Sequence, residues 1–259
     1  MSTDLRGLRV LVTRPAAQAV SLVSALQQAG ARPRLFPLLE IDAVSSLPLN
    51  QQLQRLAQFD IAIFISPNAV NFGLDALQAQ QLALPAGLQL ATVGRGSARA
   101  LLARTGRNAD ICPQAGFDSE ALLMHPALQQ ITGKQVLIFR GQGGRETLAE
   151  GLRQRGAQVH YAEVYRRRCP QHGTASLNEA IANAQLDLVL ITSNQALACL
   201  LTLVEPAWQA QLRQLPVLVV HPRQAAQVAQ YGFNQPALLA ASASDDDIMS
   251  ALRAADLSL

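Results

Sequence analysis

One local pattern recurs along the chain and limits its fold more than any other feature. A short apolar, β-branched run ends in a small or polar turn, and a stretch with helical spacing follows. The runs are residues 9–13 before Arg14 and Pro15, 61–65 before Ser66, Pro67 and Asn68, and 89–93 before Gly94, Arg95, Gly96 and Ser97. Three more follow: 135–139 before Arg140 and Gly141, 188–191 before Thr192, Ser193 and Asn194, and 216–220 before His221 and Pro222. Near-continuous apolar strands need cover on both faces, which predicts parallel sheets flanked by helices, an α/β fold.

The helices carry their own signals. Val20, Val23, Leu26 and Ala29 follow helical spacing, and Gly30 stands where a C-terminal cap belongs. Leu148 and Leu152 do the same before Gly156. Ser244, with Asp247 three positions on, and Asp118 before Ser119 and Glu120 read as helix starts. The acidic run 245–247 therefore reads as compensation of a helix dipole rather than as catalytic carboxylates.

The units also repeat at a larger period. A shift of about 126 residues lays Val10 on Val136, Arg14 on Arg140, Leu26 on Leu152 and Gly30-Ala31 on Gly156-Ala157, and Leu122 on Ile248. One further residue of shift lays Asp60 on Asp187 and Ser66 on Ser193. Such a duplication predicts two similar domains. Two extended segments, about 35–41 and 161–168, interrupt the pattern at comparable places in each repeat. If they pair as a connector, the first unit of the chain joins the last three and the middle forms the other domain. The competing layout is two contiguous tandem domains.

Composition narrows the function classes. Hydrophobic residues make up 49%, enough for real cores, while aromatics are only 4%, which disfavours base stacking on exposed rings. A net charge of +3 is too small to suggest a nucleic-acid scaffold. Lys134 is the only lysine; the other basic side chains are arginines, which fork onto carboxylates. Cys112, Cys169 and Cys199 show no metal spacing and are expected to be reduced thiols in a cytoplasmic protein. His125, His160, His172 and His221 are scattered, so a metal site has no support. The apolar stretch 186–204 contains Asp187, Ser193 and Asn194 and reads as a buried strand plus helix, not a membrane span.

In open parallel sheets ligands sit at the carboxyl ends of the strands, where helix N-termini present free N–H groups and partial positive charge. Here those turns bring Thr13, Arg14, Ser66, Asn68, Gly94, Ser97, Arg140, Gly141, Thr192, Ser193, Arg223 and Gln224. Each alone reads equally as an ordinary helix cap; together, two such rims facing each other suit a multiply charged anion. The glycine turns at 94–99 and 140–145 lack the third glycine with its acidic partner, and the Lys-Ser/Thr pair, that nucleotide sites need. No nucleophile elbow or Ser–His–Asp set can be assembled. An enzyme built this way works by positioning and by fixed dipoles.

Taken in order, segments along nearly the whole chain resemble one family. They are L-V-T-R-P at 11–15, F-P-L-L-E-I at 36–41, F-I-S-P-N-A-V at 64–70 and V-G-R-G-S-A-R-A-L at 93–101. G-F-D-S-E-A-L-L at 116–123, E-V-Y-R-R at 163–167 and I-T-S-N-Q-A-L at 191–197 complete the set. The chain is similar to uroporphyrinogen-III synthases. The resemblance implies two Rossmann- or flavodoxin-like parallel-sheet domains joined by a two-stranded β-ladder connector. It favours the interleaved layout, 1–37 with 171–259 and 42–163 between. It implies a lyase that converts hydroxymethylbilane to uroporphyrinogen III with ring D inverted and water lost, in tetrapyrrole biosynthesis, with no metal or organic cofactor. It matches Tyr165 to a tyrosine that the family has in its second connector strand, a phenol expected to donate as general acid to the leaving hydroxyl, and Ser66, Ser97, Thr192 and Ser193 to hydroxyl positions of the family's cleft. The last turn departs from the family, reading His221-Pro222-Arg223-Gln224 where a glycine and a threonine are usual. The implied partners are the small-molecule substrate and a transient contact with hydroxymethylbilane synthase, without nucleic acid or membrane, for a monomer. The alternative is a non-catalytic, two-lobed protein that binds or senses a small anion.

Overall fold

The computed structural model describes residues 5–116, 118–171 and 173–255; the outer ends of the expected first domain, together with Phe117 and His172, lie outside them. The first stretch of chain forms β1 (Arg9–Val12), α1 (Ala16–Gln28), β2 (Arg32–Leu35), β3 (Glu40–Ala43) and α2 (Leu47–Gln54). Next come β4 (Ile61–Phe64), α3 (Pro67–Ala79), β5 (Gln89–Thr92), α4 (Arg95–Thr105) and α5 (Ser119–Leu123). Then follow β6 (Gln135–Gly141), α6 (Thr147–Gln154), β7 (Gln158–Arg168) and α7 (Thr174–Ala182). The chain continues as β8 (Leu188–Ile191), α8 (Asn194–Leu203), α9 (Gln209–Gln214), β9 (Val217–Val219), α10 (Pro222–Gln230), β10 (Leu238–Leu239) and α11 (Asp245–Ala254).

Two five-stranded sheets result, ordered β10-β9-β8-β1-β2 and β3-β7-β6-β4-β5. The first is parallel throughout, as is the β7-β6-β4-β5 part of the second. Contacts divide the chain into unit 1, Met1–Glu40 with Arg168–Leu259, and unit 2, Ile41–Arg167. Each sheet is buried on both faces, which is why β4 and β8 are apolar at every position. In unit 1 one face packs Leu11, Val189 and Val219 and the other Val10, Val12 and Leu190. In unit 2 one face packs Ala62, Phe64 and Phe139 and the other Ile61, Ile63 and Ile138. The rings of Phe64 and Phe139 stack with centroids 4.5 Å apart. Helix α3 reaches them through Gly73, where a Cβ would lie 2.8 Å from the Phe139 ring.

The duplication holds register for register. β6 pairs β7 with Gln135 opposite Gln158, and β1 pairs β2 with Arg9 opposite Arg32. β4 pairs β6 with Ile61 opposite Val136, and β8 pairs β1 with Leu188 opposite Val10. Gly30 and Gly156, at φ +82° and +83°, each send a carbonyl to the amide of a second glycine, Gly7 or Gly133. The pieces are exchanged, however: each unit takes its two central strands from opposite halves of the sequence.

Three expectations need correction. Residues 35–41 are not one strand: β2 ends at Leu35 and β3 begins at Glu40. Phe36, Leu38 and Leu39 between them are drawn into unit 1's core, which outweighs their strand-like alternation. On α1 the buried stripe is Ala19, Leu22 and Leu26, while Val20 is 70% exposed; the helix is where expected, but its inward face is set by the sheet it covers. Finally, Cys169 and Cys199 are not free thiols but a disulfide, with Cα atoms 5.5 Å apart. Their separation of 30 residues has no sequence signature; packing of the chain after β7 against α8 brings them together. Cys112 is free. Among the described residues, no helix is long and apolar enough to cross a membrane.

Candidate functional site

In both units the singled-out residues gather at the carboxyl ends of the parallel strands. In unit 2, Ser66 follows β4 and caps α3, its Oγ accepting from the Ala69 amide at 3.1 Å; Pro67 occupies the first helical position, where no amide proton is needed. Asn68 sits half-buried in the same turn. Gly94 caps α4 without a side chain, and Ser97 is buried one turn in. In unit 1, Ser193 follows β8 and caps α8 through the Ala196 amide at 3.1 Å, with Thr192 half-buried beside it. Ser66 and Ser193 are equivalent in the duplication and do the same local work.

Several of the expected ligands are engaged inside the protein. Thr13 is buried and donates to the Leu190 carbonyl at 2.6 Å. Arg14 is 8% exposed, ion-paired with Asp245 at 2.6 Å and bonded to the Ala243 carbonyl. Asp245, read from the sequence as a dipole-compensating residue of α11, is therefore also the counter-ion of the first repeat's arginine. Arg140, its equivalent, is 4% exposed and donates to the Gly143 carbonyl, to the Gly141 carbonyl at 3.3 Å and to Glu146 at 2.9 Å. In the last turn, Gln224 is buried, its Oε1 accepting from the Val220 amide at 2.9 Å, and His221 Nδ1 accepts from the Arg223 amide at 3.1 Å. Arg223 is exposed.

Tyr165 is placed by a break in strand pairing. Along β6 and β7, Arg140 lies opposite Glu163 but Gly141 lies opposite Tyr165, so β7 carries one extra residue. Alternation would put Tyr165 on the face of Tyr161; the bulge turns it to the face of Ala162 and Val164, among the core residues around Phe64. There Tyr165 is 3% exposed, its ring 5.6 Å from that of Phe72. Its hydroxyl lies 3.3 Å from Ser66 Oγ and accepts from Arg167 at 3.5 Å. Gly141 makes room: a Cβ there would lie 2.5 Å from the tyrosine ring.

On the opposite face, Tyr161, Glu146, Arg140 and Arg153 form a second cluster that sequence reading missed. The Arg140 guanidinium lies 4.6 Å from the centre of the Tyr161 ring, and the Tyr161 hydroxyl donates to Glu146. That bond first, then Arg140, holds the Glu146 carboxyl below the usual carboxylate range, while burial and then Glu146 push the Tyr161 phenol up. The only sequence signal was Tyr161 at four positions before Tyr165, which strand alternation alone would have assigned to the same face.

Among the described residues, these strand ends offer amide donors, hydroxyls and bound arginines but no paired carboxylates and no base beside a nucleophile, so they can bind and orient an anion and supply a phenolic proton. A family model described as uroporphyrinogen-III synthase HemD matches residues 20–250. The uroporphyrinogen-III synthases of Escherichia coli (strain K12) and Salmonella typhimurium are 34% and 35% identical to this chain over 95% of its length and all of theirs. Among solved structures, a mutant uroporphyrinogen III synthase from Thermus thermophilus matches with a TM-score of 0.65 at 20% identity, covering 96% of this chain and 97% of its own. The Helicobacter pylori uroporphyrinogen-III synthetase matches with 0.63 at 15% identity, covering 96% and 99%. At those identities the structures speak for the fold.

Proposed function

We propose that this chain, which belongs to the uroporphyrinogen-III synthase family, closes the linear tetrapyrrole hydroxymethylbilane into uroporphyrinogen III, inverting ring D and releasing water. It is a cyclising hydro-lyase of tetrapyrrole biosynthesis. The observation that carries the reading is identity of about a third along 95% of the chain and the full length of two relatives of that name.

The chemistry asks for little beyond shape and charge. The terminal hydroxyl leaves as water with one added proton, giving a cationic methylene conjugated to its pyrrole. That carbon bonds to the substituted α-carbon of ring D, forming a spiro intermediate; the old bond breaks and recloses at the other α-position, and ring D returns the proton. Spontaneous closure gives the uninverted isomer, so the protein's task is to hold one folded conformation of an octa-acid. The helix N-termini behind Ser66, Gly94, Ser193 and His221 supply backbone N–H groups for carboxylates without a covalent partner. In this proposal Tyr165 donates the departing proton, oriented by Ser66, and Thr192, Ser193, Asn68 and Ser97 contact substrate. Arg14 and Arg140 shape the turns that do so. Because the substrate closes by itself, the proposal includes a cytoplasmic setting and rapid hand-over from hydroxymethylbilane synthase to a monomer.

Freshly prepared hydroxymethylbilane, incubated with the purified protein and then oxidised, should yield predominantly porphyrin isomer III, faster than the blank. Isomer I alone, at the spontaneous rate, would leave the anion-binding alternative.

A further inference from the structure

A cavity of about 250 Å³ opens at the carboxyl ends of the unit 2 strands, on the sheet face opposite Tyr165. Its walls are Ile65 after β4, Val93 after β5, Ile138 of β6 and Leu148 of α6. It lies below the roughly 300–1,000 Å³ of pockets that enclose a whole small molecule, so it suits one substituent of a larger ligand. Its polar lining is uneven. Arg140 has its guanidinium engaged by Glu146 and by the Gly141 and Gly143 carbonyls. Arg145, also on the wall, is exposed, and among the described residues it makes no hydrogen bond or ion pair. Asp118, the other charged wall residue, accepts from the Ala121 amide at 2.7 Å as the cap of α5, and its charge disfavours a second anion.

The loop between the two arginines explains the division of labour. Gly143 and Gly144 have φ of +74° and +108°, which lets the backbone curl around the Arg140 guanidinium; a Cβ at Gly144 would lie 3.0 Å from it. The next residue, Arg145, is thereby left at the cavity. We propose that this cavity receives one alkyl carboxylate arm of the substrate, its methylenes against the aliphatic wall and its carboxylate on Arg145, with Arg140 as the residue that positions the loop. This inference rests on the reading of the substrate as a polycarboxylic tetrapyrrole.

The test is steady-state kinetics of the full chain and of Arg145→Gln and Arg145→Lys on hydroxymethylbilane, with isomer analysis of the product. Arg145→Gln should raise KM about tenfold, as expected for one lost charge-assisted hydrogen bond, while kcat stays within about twofold. Arg145→Lys should recover most of the loss, and both variants should melt with the parent because Arg145 has no internal partner among the described residues. If the parent makes isomer III and Arg145→Gln keeps its KM within about twofold, the subsite is refuted while the proposed function stands. If the parent yields isomer I only, the proposed function fails and the subsite falls with it.

Discussion

At the scale of single residues, the internal partners of the polar atoms, rather than burial, separate groups that handle substrate from groups that build the turns. Arg14 and Arg140 look like ligands in the sequence because arginine suits carboxylates, yet both are more than nine-tenths buried, and each guanidinium donates to a backbone carbonyl and to an acid. Breaking either pair would leave a buried charge, which costs more than a surface contact is worth. Tyr165 is the opposite case: its ring is core, but its hydroxyl reaches Ser66 at the rim. Tyr165→Phe keeps the packing and removes the proton donor. Turnover is expected to fall several-fold to about a hundredfold, within the range of general-acid assistance, with an unchanged melting temperature. Unaltered turnover in a folded variant would return Tyr165 to a packing role.

At the scale of elements, two aspartates perform the same task in the two halves. Asp187 accepts from the Arg9 amide at 2.8 Å and from the Arg9 side chain, locking the start of β8 to β1. Asp60 accepts from the Gln135 amide at 2.8 Å and from Lys134 at 2.8 Å, locking β4 to β6. The side-chain bonds from Arg9 and Lys134 come first among the causes that hold the two carboxyls below the usual range, against the opposing effect of burial. A carboxyl depressed in the folded state stabilises above its unfolded value, near about 3.9, and that contribution is lost as pH falls through the folded value. Stability should therefore decline on acidification below about pH 5, and decline less steeply in Asp187→Asn, which is weaker at neutral pH. Urea midpoints across that window decide it; parallel pH profiles for parent and variant would exclude the clamp.

At the scale of the molecule, the duplication and the division into units do not coincide. Cutting the chain at its sequence midpoint removes β6 and β7 from one sheet and β8, β9 and β10 from the other, leaving the first half with the pairs β1-β2 and β4-β5 and a β3 without its neighbour. Residues 41–167, by contrast, hold a whole five-stranded sheet with both faces covered. That segment alone is expected to unfold cooperatively with an α/β circular dichroism spectrum, whereas residues 1–127 should not. A non-cooperative 41–167 segment would mean that the unit depends on the rest of the chain. The exchange follows from equal register: the edges presented by β1 and β6 are interchangeable, so β4 and β8, equivalent in the duplication, each pair with the first strand of the other half.

Composition and periodicity alone determined the six central strands, to within a residue or so at most ends, as well as the helix starts at Ser66, Asp118, Ser193 and Ser244 and the duplication itself. These are local: they depend on apolar runs, caps and turn residues that act within a few positions. Only the tertiary structure decided which half supplies which strand, that Cys169 meets Cys199, and which way Tyr165 faces. It also decided that Arg14 and Arg140 look inward. The strand exchange, the disulfide and the Arg14–Asp245 pair join residues far apart in the chain. Arg140 turns inward because a glycine loop curls around it, and Tyr165 faces the core because of a single extra residue in a ladder. A one-residue slip reverses a side chain's face without changing the propensity of any residue around it.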